Sequence, residues 1–240
     1  MIDAVTAEAI KAHAVASYPN EACGVVMKDG RFVPLANVAD EPTSTFRMPT
    51  AEYARLLPEA TVIAHSHPDG PDCPSAADMR AQIETGLPWA IVSCNDEGAL
   101  DPFLFGDQVP VPDLIGRGFR HGVTDCYSLI RDWYRVERRI TLPEFPRDWE
   151  WWHQGEDLYR DGFEAAGFRQ VSMDDAREGD VFLIAIRSGI PNHGGVYTGK
   201  GLGLHHLTGQ SPVDPSRVSR REPVARWRHH ITHWLRHDAA

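Results

Sequence analysis

The sequence has no long hydrophobic run, and this absence sets aside one class of protein at the outset. None of its apolar stretches approaches the roughly 18 residues that a membrane-spanning helix needs. The first residues, Met1 to Ala4, contain neither the basic start nor the apolar core of a secretory signal. We therefore expect a protein without a membrane-spanning segment.

Cysteine is scarce and positive charge is in deficit. The 240 residues include 4 cysteines, at positions 23, 73, 94 and 126, and this wide spread is not typical of a disulfide framework. The 24 Lys and Arg residues are outnumbered by 34 Asp and Glu residues, which leaves a net charge of -10. Such a balance argues against nucleic acid as the main partner. A hydrophobic fraction of 42% with 24% charged residues predicts a globular chain.

The charge is unevenly distributed along the chain. Residues 1–105 hold 6 basic and 15 acidic side chains, whereas residues 106–240 hold 18 and 19. Prolines at alternate positions in Gly106–Asp113 favour an extended connector, and no internal repeat is visible. The sequence therefore predicts two unlike domains, 1–105 and 117–240, joined by a linker at 106–116.

Local patterns predict helices and strands in both parts. Those of the first part are a helix at Thr6–Ser17, a hairpin of Cys23–Met27 with Arg31–Leu35, a helix at Thr50–Leu57 with Thr50 as N-cap, a strand at Ala60–His67, a helix at Ser75–Thr85 and a strand at Trp89–Ser93. Those of the second part are helices at Asp125–Val136 and Asp157–Ala166, then strands at Asp180–Ile186, Gly194–Tyr197 and Leu204–Leu207. This irregular mixture indicates an α+β fold class for both parts.

A candidate metal site lies in the first part. His65 and His67 are two apart on a predicted strand, so their imidazoles point to one face, and Asp78 lies one turn into the next helix. Two imidazoles and one carboxylate form a three-ligand set that leaves a zinc ion one open position. Glu21 is a candidate proton shuttle, and Ser75 is a candidate hydrogen-bond donor to an oxyanion. Taken singly, Ser75 and Asp78 could form only a helix cap, and the other residues could be structural or surface side chains.

The complete pattern, Glu21 followed by His-x-His-Pro-x6-Ser-x-x-Asp, resembles the JAMM (MPN-type) zinc metallopeptidases over residues 1–105. That resemblance implies hydrolysis of an amide or isopeptide bond. It also implies these roles: zinc ligands His65, His67 and Asp78, general base Glu21 and oxyanion donor Ser75. Cys73, in the loop between the ligands, is either an incidental small residue or an extra soft ligand or redox-sensitive thiol.

A candidate thiol site lies in the second part. Cys126 follows Asp125 at the predicted start of a helix, where unpaired N–H groups favour a thiolate. His193 is a candidate base at the mouth of a strand, and His205 or His206 on the next strand could orient it. Strand alternation points only one of those two histidines inward. The alternatives are a buried apolar cysteine, a turn histidine, or an incidental zinc cluster of the three.

The order and spacing of these residues resemble the NlpC-type papain-like peptidases over residues 115–210. The resemblance implies a nucleophile at Cys126, a general base at His193 and an orienting residue at His205, with His206 as the alternative third member. Three positions depart from the bacterial pattern. Tyr127-Ser128 replaces Ser-Gly after the cysteine, and Gly194 replaces a bulky apolar residue after the histidine.

The two domains in this order resemble the tail assembly protein K family of long-tailed phages. The similar strings are Asp125–Tyr134, Pro191–Tyr197 and Leu204–Gly209. The resemblance implies a JAMM/MPN-like α/β sandwich followed by an NlpC-type papain-like α+β domain, with Zn2+ as cofactor. It implies peptidoglycan and other tail-tip proteins as partners, and a place in the virion tail tip or the host cytoplasm during assembly. Action would then occur in the periplasm or cell wall.

Two function hypotheses follow from different classes. The first is an enzyme with two hydrolytic centres, in which the thiol centre cleaves peptidoglycan stem peptides and the zinc centre cleaves a protein amide or isopeptide bond. The second is a structural tail-tip or assembly protein with one or both centres idle, although intact ligand positions count against decay of the zinc site. A host isopeptidase acting on a ubiquitin-like modifier is a third, disfavoured by the second domain.

The stretch Val218–His237 is basic and contains Trp227 and Trp234. It could be an edge strand or short helix that packs on the second domain. It could instead contact an acidic partner surface or a cell-wall polymer.

Overall fold

The computed structural model describes residues 2–240, and its internal contacts divide the chain into two compact units. The first comprises the residues up to 74 and residues 80–110, and the second comprises residues 75–79 and 111–240. Within residues 2–240, none of the helices combines the length and apolarity that crossing a membrane requires. The division after Pro110 falls inside the stretch assigned to the linker, whose bounds of 106–116 stay a prediction.

The first unit is built on one mixed sheet. Its helices are α1 (Ala4–Ser17), α2 (Thr50–Leu56) and the part of α3 (Ala76–Thr85) from residue 80 onward. Its strands are β1 (Cys23–Met27), β2 (Phe32–Leu35), β3 (Ala60–Pro68), β4 (Trp89–Asn95), β5 (Gly98–Ala99) and β6 (Phe103–Phe105). The strand order is β2-β1-β3-β4-β5, and β6 also pairs with β4. Only β3 and β4 run parallel, and α3 supplies the crossover that a parallel pair requires.

Helix α1 stabilises the middle of this sheet. The Asp3 carboxylate accepts a hydrogen bond from the backbone N–H of Thr6 at 2.8 Å and so caps the helix start. Ile10 and Ala14 on the inner face are buried against apolar residues of β1, β3 and β4, namely Val26, Val62, Ala64, Ala90 and Val92. The sheet therefore gives β3 a rigid position, and the candidate metal ligands lie at its carboxyl end.

The second unit contains a six-stranded antiparallel sheet and a separate two-stranded ribbon. Its helices are α4 (Cys126–Trp133), continued by a π-helical turn at Tyr134–Arg138, and α5 (Leu158–Gly162). Its strands are β7 (Gly118–Arg120), β8 (Phe168–Val171), β9 (Val181–Ile184), β10 (His193–Tyr197), β11 (Leu202–His205), β12 (Val213–Val218), β13 (Arg220–Pro223) and β14 (Ile231–His237). The large sheet has the order β13-β11-β10-β9-β14-β8, and β12 pairs with β7.

Helix α4 packs closely on the large sheet. Leu129, Ile130 and Trp133 are buried in one cluster with side chains of β9, β10 and β11. A Cβ atom on Gly194 would stand 3.0 Å from Cδ1 of Ile130. A side chain at position 194 would therefore press on Ile130, so the close packing of α4 favours glycine there.

The structure confirms the α+β class, with differences in local detail. Thr50 is not an N-cap, because Pro49 precedes the helix in an extended conformation and Thr50 is its first residue. Helix α5 is shorter than predicted and starts after Asp157, which caps it. The basic C-terminal stretch forms the edge strand β13 and then β14, which lies inside the sheet between β9 and β8.

Ile63 tests the core on the other face of β3, since Val62 and Ala64 face α1 and successive strand residues face opposite sides. Its side chain on β3 is fully buried, so Ile63→Ala should lower the free energy of unfolding by about 2–5 kcal/mol through lost burial and a new cavity. Ile83 on α3 is 45% exposed, so Ile83→Ala should alter the free energy of unfolding by about 0.5 kcal/mol or less. Urea unfolding measures both values, and equal effects would contradict the assignment of this core.

Candidate active sites

The candidate metal ligands converge in the structure. His65, His67 and Asp78 are all buried, and one donor atom from each lies within 4.8 Å of the others. The two Nε2 atoms are 3.1 Å apart. Two nitrogen ligands of a tetrahedral zinc ion, each at 2.0–2.1 Å, stand about 3.3 Å apart. The trio therefore fits a metal ion.

The surroundings of the two histidines orient their rings. His67 Nδ1 lies 3.0 Å from the backbone oxygen of Pro71, so it donates its N–H there and leaves the Nε2 lone pair for a metal. The His65 ring stacks on Phe46 at 4.7 Å between centroids and meets Trp89 edge-on at 5.5 Å. These contacts pre-organise both donors before a metal binds.

Ser75 and Asp78 form a reciprocal helix cap. The Asp78 Oδ2 atom accepts hydrogen bonds from the backbone N–H of Ser75 at 2.8 Å and from its hydroxyl at 2.7 Å. In return the backbone N–H of Asp78 donates to Ser75 Oγ at 3.1 Å. Ser75 and Asp78 thus cap the helix start, and these hydrogen bonds also orient the Asp78 carboxylate. The role of Ser75 as a donor to an oxyanion stays a prediction.

Glu21 lies at the same end of the sheet. Its side chain is buried, and it precedes β1, in which Cys23 pairs with His65 across the strands. The neighbouring Ala22 N–H donates to Ser66 Oγ at 2.8 Å, which holds this segment beside β3. The position suits a proton shuttle, and that role stays a prediction. Cys73 is also buried, as an unoxidised cysteine.

The candidate thiol site begins with a buried ion pair. Arg147 Nη2 contacts the Asp125 carboxylate at 2.8 and 3.0 Å, and Nε contacts it at 3.0 Å. The same carboxylate accepts the backbone N–H groups of Gly122 at 2.8 Å and of Ser128 at 2.9 Å. Burial alone would raise the pKa of Asp125, but the Arg147 charge, nearby His121 and these N–H groups hold it well below its usual range. Asp125 therefore stays ionised and fixes the start of α4.

Cys126 differs from the sequence expectation in its ionisation. Its partly buried Sγ lies 3.2 Å from the Tyr159 hydroxyl. Burial and the adjacent Asp125 carboxylate raise the pKa of Cys126 to about 11 and outweigh the opposing hydrogen bond of Tyr159. The prediction that the helix start favours a thiolate is therefore wrong for the resting site, where the thiol is neutral and needs a base.

The candidate base belongs to a chain of three side chains. His193 Nε2 lies 3.0 Å from His205 Nδ1, and His205 Nε2 lies 2.5 Å from Glu222 Oε1. Burial lowers the pKa of His193 well below 6.5, assisted by the two neighbouring histidines. Burial also lowers the pKa of His205, although Glu222 opposes that shift. Both imidazoles are therefore neutral near pH 7.

His206 occupies a different environment. It is fully buried, its Nε2 lies 2.9 Å from the backbone oxygen of Arg217, and its ring meets Phe119 edge-on at 5.2 Å. The expectation that only one of His205 and His206 is buried is wrong, because β11 ends at His205 and alternation does not extend beyond it. The structure places His205, and not His206, against His193.

Cys126 and His193 line one cavity of about 510 Å³. Tyr159, Trp149 and Trp151 contribute aromatic walls to it. This volume is typical of pockets that enclose a small ligand or a short peptide segment. The thiol thus opens into a space in which a substrate carbonyl could reach it.

Sequence reasoning missed three members of this site. Arg147 and Tyr159 lie in stretches without a recognisable motif, so no local signal pointed to either. Glu222 had one weak signal, since it is one of two carboxylates among six arginines in residues 215–240.

Comparisons with known proteins agree with the order of the two predicted domains. A family described as prokaryotic homologs of the JAB domain matches residues 3–103, and the NlpC/P60 family matches residues 102–232. Tail tip assembly protein K of Escherichia phage lambda is 39% identical over 187 residues, which are 78% of this chain and 86% of the relative. Its namesake from Escherichia phage N15 is 35% identical over 211 residues, covering 85% of each. A crystal structure of an NLP/P60 family protein from Staphylococcus aureus covers 47% of this chain and 31% of its own, at 19% identity and a TM-score of 0.30.

The Asp125–Arg147 pair generates a stability prediction. Arg147→Leu would leave a buried carboxylate without its counter-charge, so it should lower the free energy of unfolding by about 3–5 kcal/mol. Arg169→Leu removes one partner of the exposed Arg169–Asp238 pair and should cost about 1 kcal/mol or less. Denaturant unfolding compares the two, and a similar small loss for both would show that α4 does not depend on the buried pair.

Proposed function

The chain belongs to the family of tail tip assembly protein K, and we propose that it is a tail-tip peptidase with two hydrolytic centres. The observation that carries the proposal is that His193, hydrogen-bonded to His205, lines the same cavity as Cys126. A thiol, a neutral imidazole and an orienting group are what a cysteine peptidase needs. The proposed catalytic residues of this centre are Cys126, His193 and His205.

The first step would be acylation of the thiol. His193 Nδ1, the ring nitrogen not directed at His205, would take the Cys126 proton as Sγ attacks the substrate carbonyl. Burial and Cys126 itself raise the pKa of Tyr159, so its hydroxyl stays protonated and can donate to the forming thiolate. General-base activation is required because the resting thiol is neutral.

The second step would release the acyl group. The protonated His193 would give its proton to the leaving amine, and a thioester would form on Cys126. His193 would then deprotonate a water molecule that attacks the thioester, and it would return this proton to the Cys126 thiolate as the C–S bond breaks. This sequence leaves every residue in its starting protonation state.

Peptidoglycan stem peptide is the proposed substrate of the thiol centre, at a carbonyl next to a D-amino acid. The family relation supports this choice, because NlpC/P60 is the family matched by the second domain. Action would take place in the periplasm or cell wall, and other tail-tip proteins would be partners during assembly. Association with the virion tail follows from the K family relatives.

The proposed second centre hydrolyses a protein amide or isopeptide bond. His65, His67 and Asp78 would hold a zinc ion, which when bound would act as a Lewis acid toward a substrate carbonyl and activate water. Glu21 would move the proton from the attacking water to the leaving amine, and Ser75 would donate to the developing oxyanion. The alternative is a structural tail-tip protein in which one or both centres are idle.

One experiment separates these possibilities. Wild type, Cys126→Ala and Glu21→Gln are incubated with purified peptidoglycan and with tail proteins, and the products are identified by mass. Cys126→Ala should abolish stem-peptide products by removing the nucleophile, and Glu21→Gln should abolish only the protein products. Identical profiles for all three proteins would sink the two-centre proposal.

Metal analysis provides the control for the zinc half. Purified wild type and Glu21→Gln should each carry about one zinc per chain, since Glu21 is not a proposed ligand. His67→Ala should lose the metal, whereas the same change at the exposed His229 should not. Far less than one zinc per wild-type chain would favour the structural alternative.

The lowered pKa of His193 predicts the acid limit of stem-peptide cleavage. A base whose pKa is depressed stays unprotonated to a lower pH, so kcat/KM should fall only below pH 6.5, the ordinary histidine value. A pH series of initial rates on a soluble stem peptide measures this limb. A midpoint at or above pH 6.5 would contradict the assignment of a buried, neutral His193 as the base.

A further inference from the structure

We propose that Glu222 is a positioning residue that, acting through His205, sets which nitrogen of His193 carries the proton. The inference rests on the proposed cysteine-peptidase function, and it adds a fourth member to that site. The carboxylate lies on β13, a strand that carries none of the proposed catalytic residues. Its effect on Cys126 would pass through two imidazole rings.

The surroundings of Glu222 keep it as a hydrogen-bond acceptor. It is buried, and its Oε1 accepts from Trp227 Nε1 at 2.8 Å as well as contacting His205. Its Oε2 faces the guanidinium groups of Arg226 at 3.3 Å and Arg220 at 3.5 Å. Burial would raise the pKa of Glu222, but the Trp227 hydrogen bond and His205 hold it below the usual range. An ionised carboxylate has no proton to donate.

The direction of each hydrogen bond then follows from chemistry. Because Glu222 only accepts, His205 must donate from Nε2, and a neutral His205 then has a lone pair on Nδ1. That lone pair accepts from His193, which must donate from Nε2. A neutral His193 therefore carries its proton on Nε2 and has the Nδ1 lone pair free to act as a base.

The same two rings could bond in the opposite direction without the carboxylate. His205 would then donate from Nδ1 to His193 Nε2, and His193 would carry its proton on Nδ1. In that tautomer the nitrogen that should accept the Cys126 proton is already protonated. The pair His193–His205 alone does not choose between these states, so the choice depends on Glu222.

The test is Glu222→Gln, which keeps the shape of the side chain but can donate a hydrogen bond to His205. Long-range ¹H–¹⁵N spectra of the ring nitrogens identify the tautomer directly. We expect wild-type His193 to be protonated on Nε2 and the variant to gain the Nδ1-protonated form. Alkylation of Cys126 by iodoacetamide at pH 7, followed by mass spectrometry, should slow by about tenfold or more. For any cleaved stem peptide, kcat should fall about 100-fold with KM little changed.

Arg221→Gln is the matched control. Arg221 precedes Glu222 on β13 but is exposed, and successive strand residues face opposite sides. Arg221→Gln should leave the spectra and the alkylation rate unchanged, and circular dichroism checks that both variants fold.

Wild-type His193 protonated on Nδ1 would overturn the proposal even if Glu222→Gln failed to fold. A folded Glu222→Gln variant whose Cys126 is alkylated within twofold of the wild-type rate would overturn it as well. If the tautomer and alkylation change as expected while neither protein cleaves peptidoglycan, the positioning role stands and the proposed substrate is wrong.

Discussion

The buried pair of Asp125 and Arg147 is the constraint on which the thiol site depends. It anchors the residue before Cys126, while the same carboxylate caps α4 through Ser128. Burying an ion pair carries a large desolvation cost. The pair therefore contributes more by holding Cys126 in position than by net stabilisation of the fold. Burial, followed by the Asp125 charge, raises the pKa of the Cys126 thiol, whereas Arg147 opposes that shift. The buried position that the pair fixes therefore makes the proposed nucleophile dependent on His193.

Each unit contains a pair of histidines in its candidate site, and the two pairs are arranged differently. Strand geometry determines the arrangement of each pair. His65 and His67 are alternate residues of one strand, so both rings lie on one face and their Nε2 atoms come within 3.1 Å of each other. His193 and His205 come from antiparallel neighbours, and their rings meet end to end through one hydrogen bond. Converging lone pairs suit a metal cation, whereas a donor-to-acceptor chain suits proton transfer.

The sequence could predict what depends on short spacing. Strand alternation and a helix start brought His65, His67 and Asp78 together, and the structure assembles that trio. The strand pair carrying His193 and His205 was likewise foreseeable from two glycine-separated runs. Arg147, Tyr159 and Glu222 were not, because each reaches the site across a long loop or a distant strand pairing that no local pattern encodes. Alternation failed at His206, where the strand had already ended.

The two candidate sites therefore depend on different parts of the folded chain. The proposed metal ligands lie within one strand–loop–helix segment, so a local arrangement already places them near one another. The thiol chain instead links α4, β10, β11 and β13, and its last member joins only when β13 pairs with β11. The proposed orientation of the two histidines by Glu222 therefore requires the pairing of β13 with β11. The proposed chemistry of the second domain is in this sense a property of the whole sheet, including its edge strand.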